Sequence, residues 1–338
     1  MMAILLVAML LVILIAAEIF TNALEHLGAR LHISEGATGS LLAAVGTALP
    51  ESIVPLIAVF AGTERVNVNE EIGVGVILGA PLMLSTLSLS LMAFSVLRQR
   101  GFNGHLTPEL SGLTRDLDCF LLAYGIAAIA LIVPHNPRYF LAIHVALVTA
   151  LVLTYFIYML LTLGNSAQLV KDGRGTHADS RLYLCYLGLP NYMAVILFQL
   201  ILGLALVVIG AKGFVHAVEH VSRDLGISVL LMSLLVVPIA TELPEKINSI
   251  LWIRRRKDTL AFGNITGAMV FQGTILPAIG ILLTPWTILR AEVLTGVLVT
   301  YGAALWLRLA IRRGYVQVWQ LGINGALYLS YLIFMLVR

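Results

Sequence analysis

Two heptapeptides carry the residues of this chain best placed to do chemistry: "GTALPES" at 46–52 and "ATELPEK" at 240–246. Each sets Thr, Leu, Pro and Glu in one order, with the carboxylate directly behind a helix breaker. Both lie inside long apolar runs. Proline lacks an N–H and clashes with the preceding turn, so a helix that carries it is expected to break or kink. A break frees backbone carbonyls, which a bilayer tolerates only beside a protein-lined cavity. Glu51 and Glu245 stand roughly 16 and 18 residues into their runs, which at about 1.5 Å per residue puts both near the midplane of a membrane. A carboxylate there costs about 2.5–3.5 kcal/mol and calls for a cation, a proton or a basic partner. Two such carboxylates, the hydroxyls of Thr47 and Thr241 and freed carbonyls make an all-oxygen set. Hard ions such as Ca²⁺ or Na⁺ favour that set over soft metals.

The composition explains why these carboxylates must be read against lipid. The chain is 59% hydrophobic and 12% charged, with a mean hydropathy of +0.96, whereas a soluble domain carries about 25% charged residues. The expected fold class is an all-α polytopic membrane protein. Ten spans can be marked: 3–20, 35–62, 71–97, 117–134, 138–163, 190–211, 227–253, 259–284, 287–307 and 315–337. The first lacks a basic n-region and is too long for the core of a signal peptide, so it reads as a span. The polar stretch 164–189 reads as an aqueous linker that splits the chain into five spans and five spans. The expected units are therefore 1–163, the linker 164–189, and 190–338. With the N-terminus outside, 14 of the 21 Lys and Arg residues fall on the inner side and six on the outer, with Lys246 left within a span. The positive-inside rule thus places both termini outside and the linker in the cytoplasm.

Enzyme signatures are missing: there is no HExxH, P-loop or GxGxxG, so no catalytic residue and no cofactor is expected. Cys119 and Cys185 are too few for a disulfide framework or a zinc site. The expected partners are membrane lipids and cations, with no nucleic acid, and the oligomeric state stays open. The basic run "RRRK" at 254–257 is a topology signal that could also meet anionic lipid.

Internal repetition gives the two heptapeptides a common origin. Shifted by 194 residues, "FTNALEHLGARLHIS" at 20–34 lies over "FVHAVEHVSRDLGIS" at 214–228 with seven of fifteen positions identical, and 46–52 lies over 240–246 at the same offset. Further on, "GVILGAPLM" at 75–83 lies over "GNITGAMVF" at 263–271 at an offset of 188. Each repeat holds an odd number of spans, so the second enters the bilayer upside down. Inverted repeats of this kind are a mark of secondary transporters, with the substrate site at the midplane between them. Gly75, Gly79, Gly263 and Gly267 form two small-xxx-small patterns suited to close helix packing around such a site.

On these motifs the chain resembles the sodium/calcium exchangers of the wider cation/Ca²⁺ exchanger superfamily, whose two repeats carry a "GTSLPE" box and a following "GN-x-x-GS" box. The matching residues are "GTALPE" at 46–51, "ATELPE" at 240–245, "GVILGA" at 75–80, "GNITGA" at 263–268, and the lead-in "LGIS" at 225–228. The resemblance implies that Glu51 and Glu245 are the Ca²⁺-binding carboxylates and that Thr47 and Thr241 serve the flanking ion sites. It also puts Leu84 and Gln272 where the family has Asn or Asp, and Ala48 and Glu242 where it has Ser. The implied metal-ligating set is therefore Glu51, Glu245, Thr47, Thr241, Glu242 and Gln272. Glu242 and Lys246 are spaced for an i,i+4 ion pair, which either neutralises both or takes part in ion binding. The implied function is Na⁺/Ca²⁺ antiport by alternating access, with H⁺-coupled cation exchange as the alternative. A channel or a non-transporting membrane protein is a weaker expectation. The lack of a large regulatory loop resembles the compact prokaryotic type and implies a cell (inner) membrane location.

Overall fold

The computed structural model describes residues 2–31, 49–61, 66–133, 140–171, 181–284, 286 and 291–337, and nearly all of them are helical. The helices are α1 (Met2–Arg30), α2 (Leu49–Ala61), α3 (Val66–Met83), α4 (Leu89–Arg100), α5 (Leu110–Ile132), α6 (Phe140–Lys171), α7 (Met193–Asp224), α8 (Val229–Leu231), α9 (Val237–Thr241), α10 (Leu243–Arg254), α11 (Asp258–Leu283), α12 (Ala291–Ala310) and α13 (Val318–Val337). Single π-helical turns, Leu84–Ser88 and Met232–Val236, join α3 to α4 and α8 to α9. Each expected span holds at least one described helix, and 35–48 of the second lie outside the described residues. Seven helical stretches among the described residues are long and apolar enough to cross a membrane.

The helices run past some of the expected boundaries. The first and sixth spans were drawn to end at 20 and 211, yet α1 continues to Arg30 and α7 to Asp224. The polar residues of "TNALEHLGAR" and "HAVEHVSRD" are good enough helix formers to extend the helix once the apolar run has nucleated it. Helix α6 runs on to Lys171, into the first part of the expected linker. The linker's far end packs on the bundle: Leu182 and Cys185 are buried, Asn22 Oδ1 accepts from Tyr183 N at 3.0 Å, and Gln199 Oε1 accepts from Leu184 N at 3.0 Å.

The chain sorts its helices by burial. Nearly all of Val68–Arg100 and most of α11 are enclosed, while α1, α6 and α7 present most of their length outward. The largest apolar cluster is built on α3, α4, α5 and α11, and α1 packs along α7 at the edge. So the two helices bearing the "GVILGA" and "GNITGA" boxes form the centre.

At one end of the bundle three connections meet. Strand β1 (His105–Leu106) pairs antiparallel with β2 (Val316–Gln317). Arg100, at the end of α4, forms a two-pronged ion pair with Asp258, the first residue of α11, at 2.7 and 2.8 Å. Arg100 also donates to the carbonyl of Ile253 at 2.7 Å, and Thr107 N donates to Asp258 at 2.9 Å. Glu109 caps α5, accepting from the amides of Ser111 and Gly112 at 2.9 and 2.8 Å. Burial pushes the Glu109 carboxyl up, but the Ser111 hydroxyl, these amides and nearby Arg115 outweigh it and hold it below the ordinary 4.5.

Candidate cation site

The region around "ATELPEK" is built by a succession of local devices. Gly226 adopts φ +67° at the corner after α7, a conformation that glycine takes without strain. Ser228 then caps α8, accepting from Leu231 N at 3.1 Å. The π turn at 232–236 inserts one extra residue, a feature common at functional sites. After α9, Glu242 leaves helical geometry (φ −84°, ψ 11°), and α10 begins at Leu243 with Pro244 in its first turn. The predicted interruption therefore falls immediately before the proline, at the one place in a helix where a missing N–H costs little. Pro50 is the second described residue of α2, and the residues before Leu49 lie outside the described ones.

Four residues of this stretch turn inward. Thr241, Glu242 and Glu245 have no solvent exposure, and Lys246 has 4%. The Thr241 hydroxyl donates to the Val237 carbonyl at 3.1 Å, leaving its lone pairs for another partner. Lys246 Nζ lies 3.1 Å from Glu242 Oε2 and donates to the carbonyls of Pro238 at 3.3 Å and Ile239 at 3.2 Å. Glu245 and Tyr328 of α13 are electrostatic neighbours of Glu242. Two acids and one base in a bundle core are costly to bury unless their charges are balanced; the three side chains carry a net charge of −1 when all are ionised.

The neighbouring helices hold this stretch closely. A Cβ added at Gly75 would come 2.7 Å from Ser233 Cβ, and one at Gly79 would come 2.3 Å from the Leu234 carbonyl oxygen and 2.8 Å from Pro238 Cγ. The glycines thus let α3 lie against the π turn and α9. On α11, Asn264 donates to the Glu245 carbonyl at 3.2 Å and to Ser249 Oγ at 3.0 Å. Gln272, two turns further on, is wholly buried, and neither its oxygen nor its nitrogen has a hydrogen-bond partner among the described residues. An orphaned buried amide is rare enough to require an explanation.

Of the residues singled out from sequence, Thr241, Glu242, Glu245 and Lys246 share one buried stretch, and Gln272 lies on the enclosed α11. Thr47 and the side chain of Glu51 lie outside what is described. The backbone of Glu51 is in the first turn of α2, a helix that touches both α9 and α11. Sequence reasoning missed Asn264, although it stands in the quoted "GNITGA", because a helical Asn gives no sign of which carbonyl it will reach. It also missed Asp116 of α5, 1% exposed, which accepts from Thr266 of the same box at 2.7 Å and meets Arg115 at 3.4 Å. That carboxylate ties α5 to the central helix.

A many-helix bundle with small residues at its closest crossings and buried carboxylates at a broken helix defines a polytopic membrane protein of the ion-exchanger kind. The chain belongs to the sodium/calcium exchanger protein family, which matches residues 1–164 and 195–337. Among curated relatives, the putative antiporter CaxA of Alkalimonas amylolytica is 33% identical over 99 residues, 29% of this chain and 30% of that protein. The chain thus spans under a third of CaxA. Inner membrane protein YrbG of Escherichia coli K12 is 27% identical over 247 residues, 73% of this chain and 69% of that one. Among solved structures, the H⁺/Ca²⁺ exchanger CAX superposes with a TM-score of 0.76 at 18% identity, over 99% of this chain and 82% of that one. The sodium-calcium exchanger NCX_Mj superposes with a TM-score of 0.63 at 22% identity, over 98% and 99%. These likenesses show a shared fold.

Proposed function

We propose that this chain is a secondary active Ca²⁺ antiporter of the cytoplasmic membrane, not an enzyme, working by alternating access between two inverted five-helix units at 1–163 and 190–338. Ca²⁺ binds between the Glu51 and Glu245 carboxylates. Thr47, Thr241, Glu242 and Gln272 complete the oxygen set for the exchanging ions, and Na⁺ is the counter-ion. The observation that carries this is the wholly buried Gln272 amide without a partner among the described residues, on the central helix beside the broken one. A carbonyl oxygen kept free of hydrogen bonds inside a membrane bundle is a ligand for a cation that comes and goes. The convergence of 98–109, 254–258 and 308–317 at one end supports an inner face there, because these are the basic connections. The family and the likeness to two Ca²⁺ exchangers support the substrate.

The test is Ca²⁺ uptake into proteoliposomes, driven by a Na⁺ gradient at clamped pH and then by a pH gradient without Na⁺. Uptake in the first arm, lost in Glu51→Gln and in Glu245→Gln while both variants stay folded, is the expected result. A second reading is H⁺ coupling, favoured by Glu242, a buried acid in place of a small polar residue. Uptake in the second arm alone selects it. Uptake in neither arm rejects Ca²⁺ antiport.

A further inference from the structure

The Lys246 ammonium meets more than the Glu242 carboxylate. An ammonium has three donors and no acceptor, and here three oxygens surround it: Glu242 Oε2 at 3.1 Å, the Pro238 carbonyl at 3.3 Å and the Ile239 carbonyl at 3.2 Å. All three oxygens come from the five residues on the near side of the helix interruption, while Lys246 projects back from the far side. The lysine stem is itself sealed from solvent, so salt cannot screen the pair as it does a surface bridge. One carboxylate and two backbone carbonyls are also the oxygen donors by which proteins hold alkali and alkaline-earth ions. The fold has thus made a small cation cage at the broken helix and filled it with its own charge.

We propose that Lys246 is a resident cation: its ammonium occupies a monovalent-cation position made by Glu242 and the Pro238 and Ile239 carbonyls, and it thereby fixes how many exchangeable cations the transporter holds. The proposal rests on the cation-antiport reading for its role in transport, though the cage itself does not depend on it. Without the ammonium, Glu242 is a buried, uncompensated carboxylate facing two carbonyls, which is the condition that draws in a free ion. A pair that only neutralises itself makes the opposite prediction, since its removal creates no ion site.

The experiment counts ²²Na⁺ bound at equilibrium by purified protein in lipid nanodiscs, for the wild type, Lys246→Met, Lys246→Arg and the double variant Glu242→Gln/Lys246→Met. Lys246→Met is expected to hold one more Na⁺ per chain than wild type. Lys246→Arg, which keeps the tethered charge, is expected to match wild type. The double variant keeps three neutral oxygens and is expected to gain the same ion at lower affinity. Because it removes both charges of the pair together and strands neither, it carries the test alone if Lys246→Met does not fold. Equal Na⁺ counts in wild type and in the folded methionine variants overturn the proposal. Ca²⁺ flux by the wild type, measured on the same preparation, judges the antiport reading separately: a failed flux with a gained Na⁺ rejects antiport and keeps the cage.

Discussion

The Arg100–Asp258 pair offers a quantitative test of how this bundle is held at its basic end. Replacing Asp258 by Ala removes both prongs on the guanidinium and the acceptor for Thr107 N. It also removes the negative charge in the first turn of α11. Arg100 and Asp258 are 8% and 5% exposed, so the stranded guanidinium keeps only the carbonyls of Ile253 and His105. Breaking a buried pair from one side costs about 3–5 kcal/mol. The retained carbonyls put this case near the lower figure, and the lost helix-dipole contact adds about 0.3–1 kcal/mol. At about 2 °C per kcal/mol for a chain of this size, the midpoint should fall by about 6 °C or more. The control is Arg308→Gln. The Arg308–Asp118 pair is also two-pronged, at 2.6 and 3.1 Å, but its members are 27% and 53% exposed. Solvent screening limits its worth to about 0.2–1 kcal/mol, or a shift of about 2 °C at most. Thermal unfolding in detergent, followed by intrinsic fluorescence, measures both. An Asp258→Ala shift no larger than that of Arg308→Gln would refute the claim that burial, rather than geometry, gives the inner pair its strength.

Gly79→Ala should cost about 1–3 kcal/mol by overpacking, because the new Cβ meets a backbone carbonyl of the π turn that cannot rotate away. Its melting midpoint should fall and Ca²⁺ uptake should drop with it, whereas Gly322→Ala on α13, where a Cβ meets nothing within 4 Å, should leave both unchanged. Glu109 is held below the ordinary glutamate value in the folded state. Its contribution is therefore fully present above 4.5 and is lost as the pH falls through its lowered folded value. Unfolding midpoints measured across this acid range should decline less steeply in Glu109→Gln than in wild type, and parallel declines would reject the capping role.

Much of the architecture was open to reading before any coordinates. Lipid solvent forces backbone groups to pair within the chain, so long apolar runs must become helices. The "PE" box at 244–245 marked a helix interruption for a local reason, since a proline's missing N–H acts within one turn. Gly75 and Gly79 announced a close crossing through their spacing alone. What local sequence could not convey was which groups meet across the bundle. Asn264 reaching the Glu245 carbonyl, Asp116 fastening α5 to Thr266, and Asp258 closing on Arg100 join residues whose proximity depends on how separate helices pack. Even the Glu242–Lys246 spacing indicated only that a pair was possible. That the ammonium is drawn across the break onto the Pro238 and Ile239 carbonyls depends on the non-helical turn at Glu242 and on α3 pressed against α9, because a long, flexible side chain takes the position that the surrounding packing leaves it.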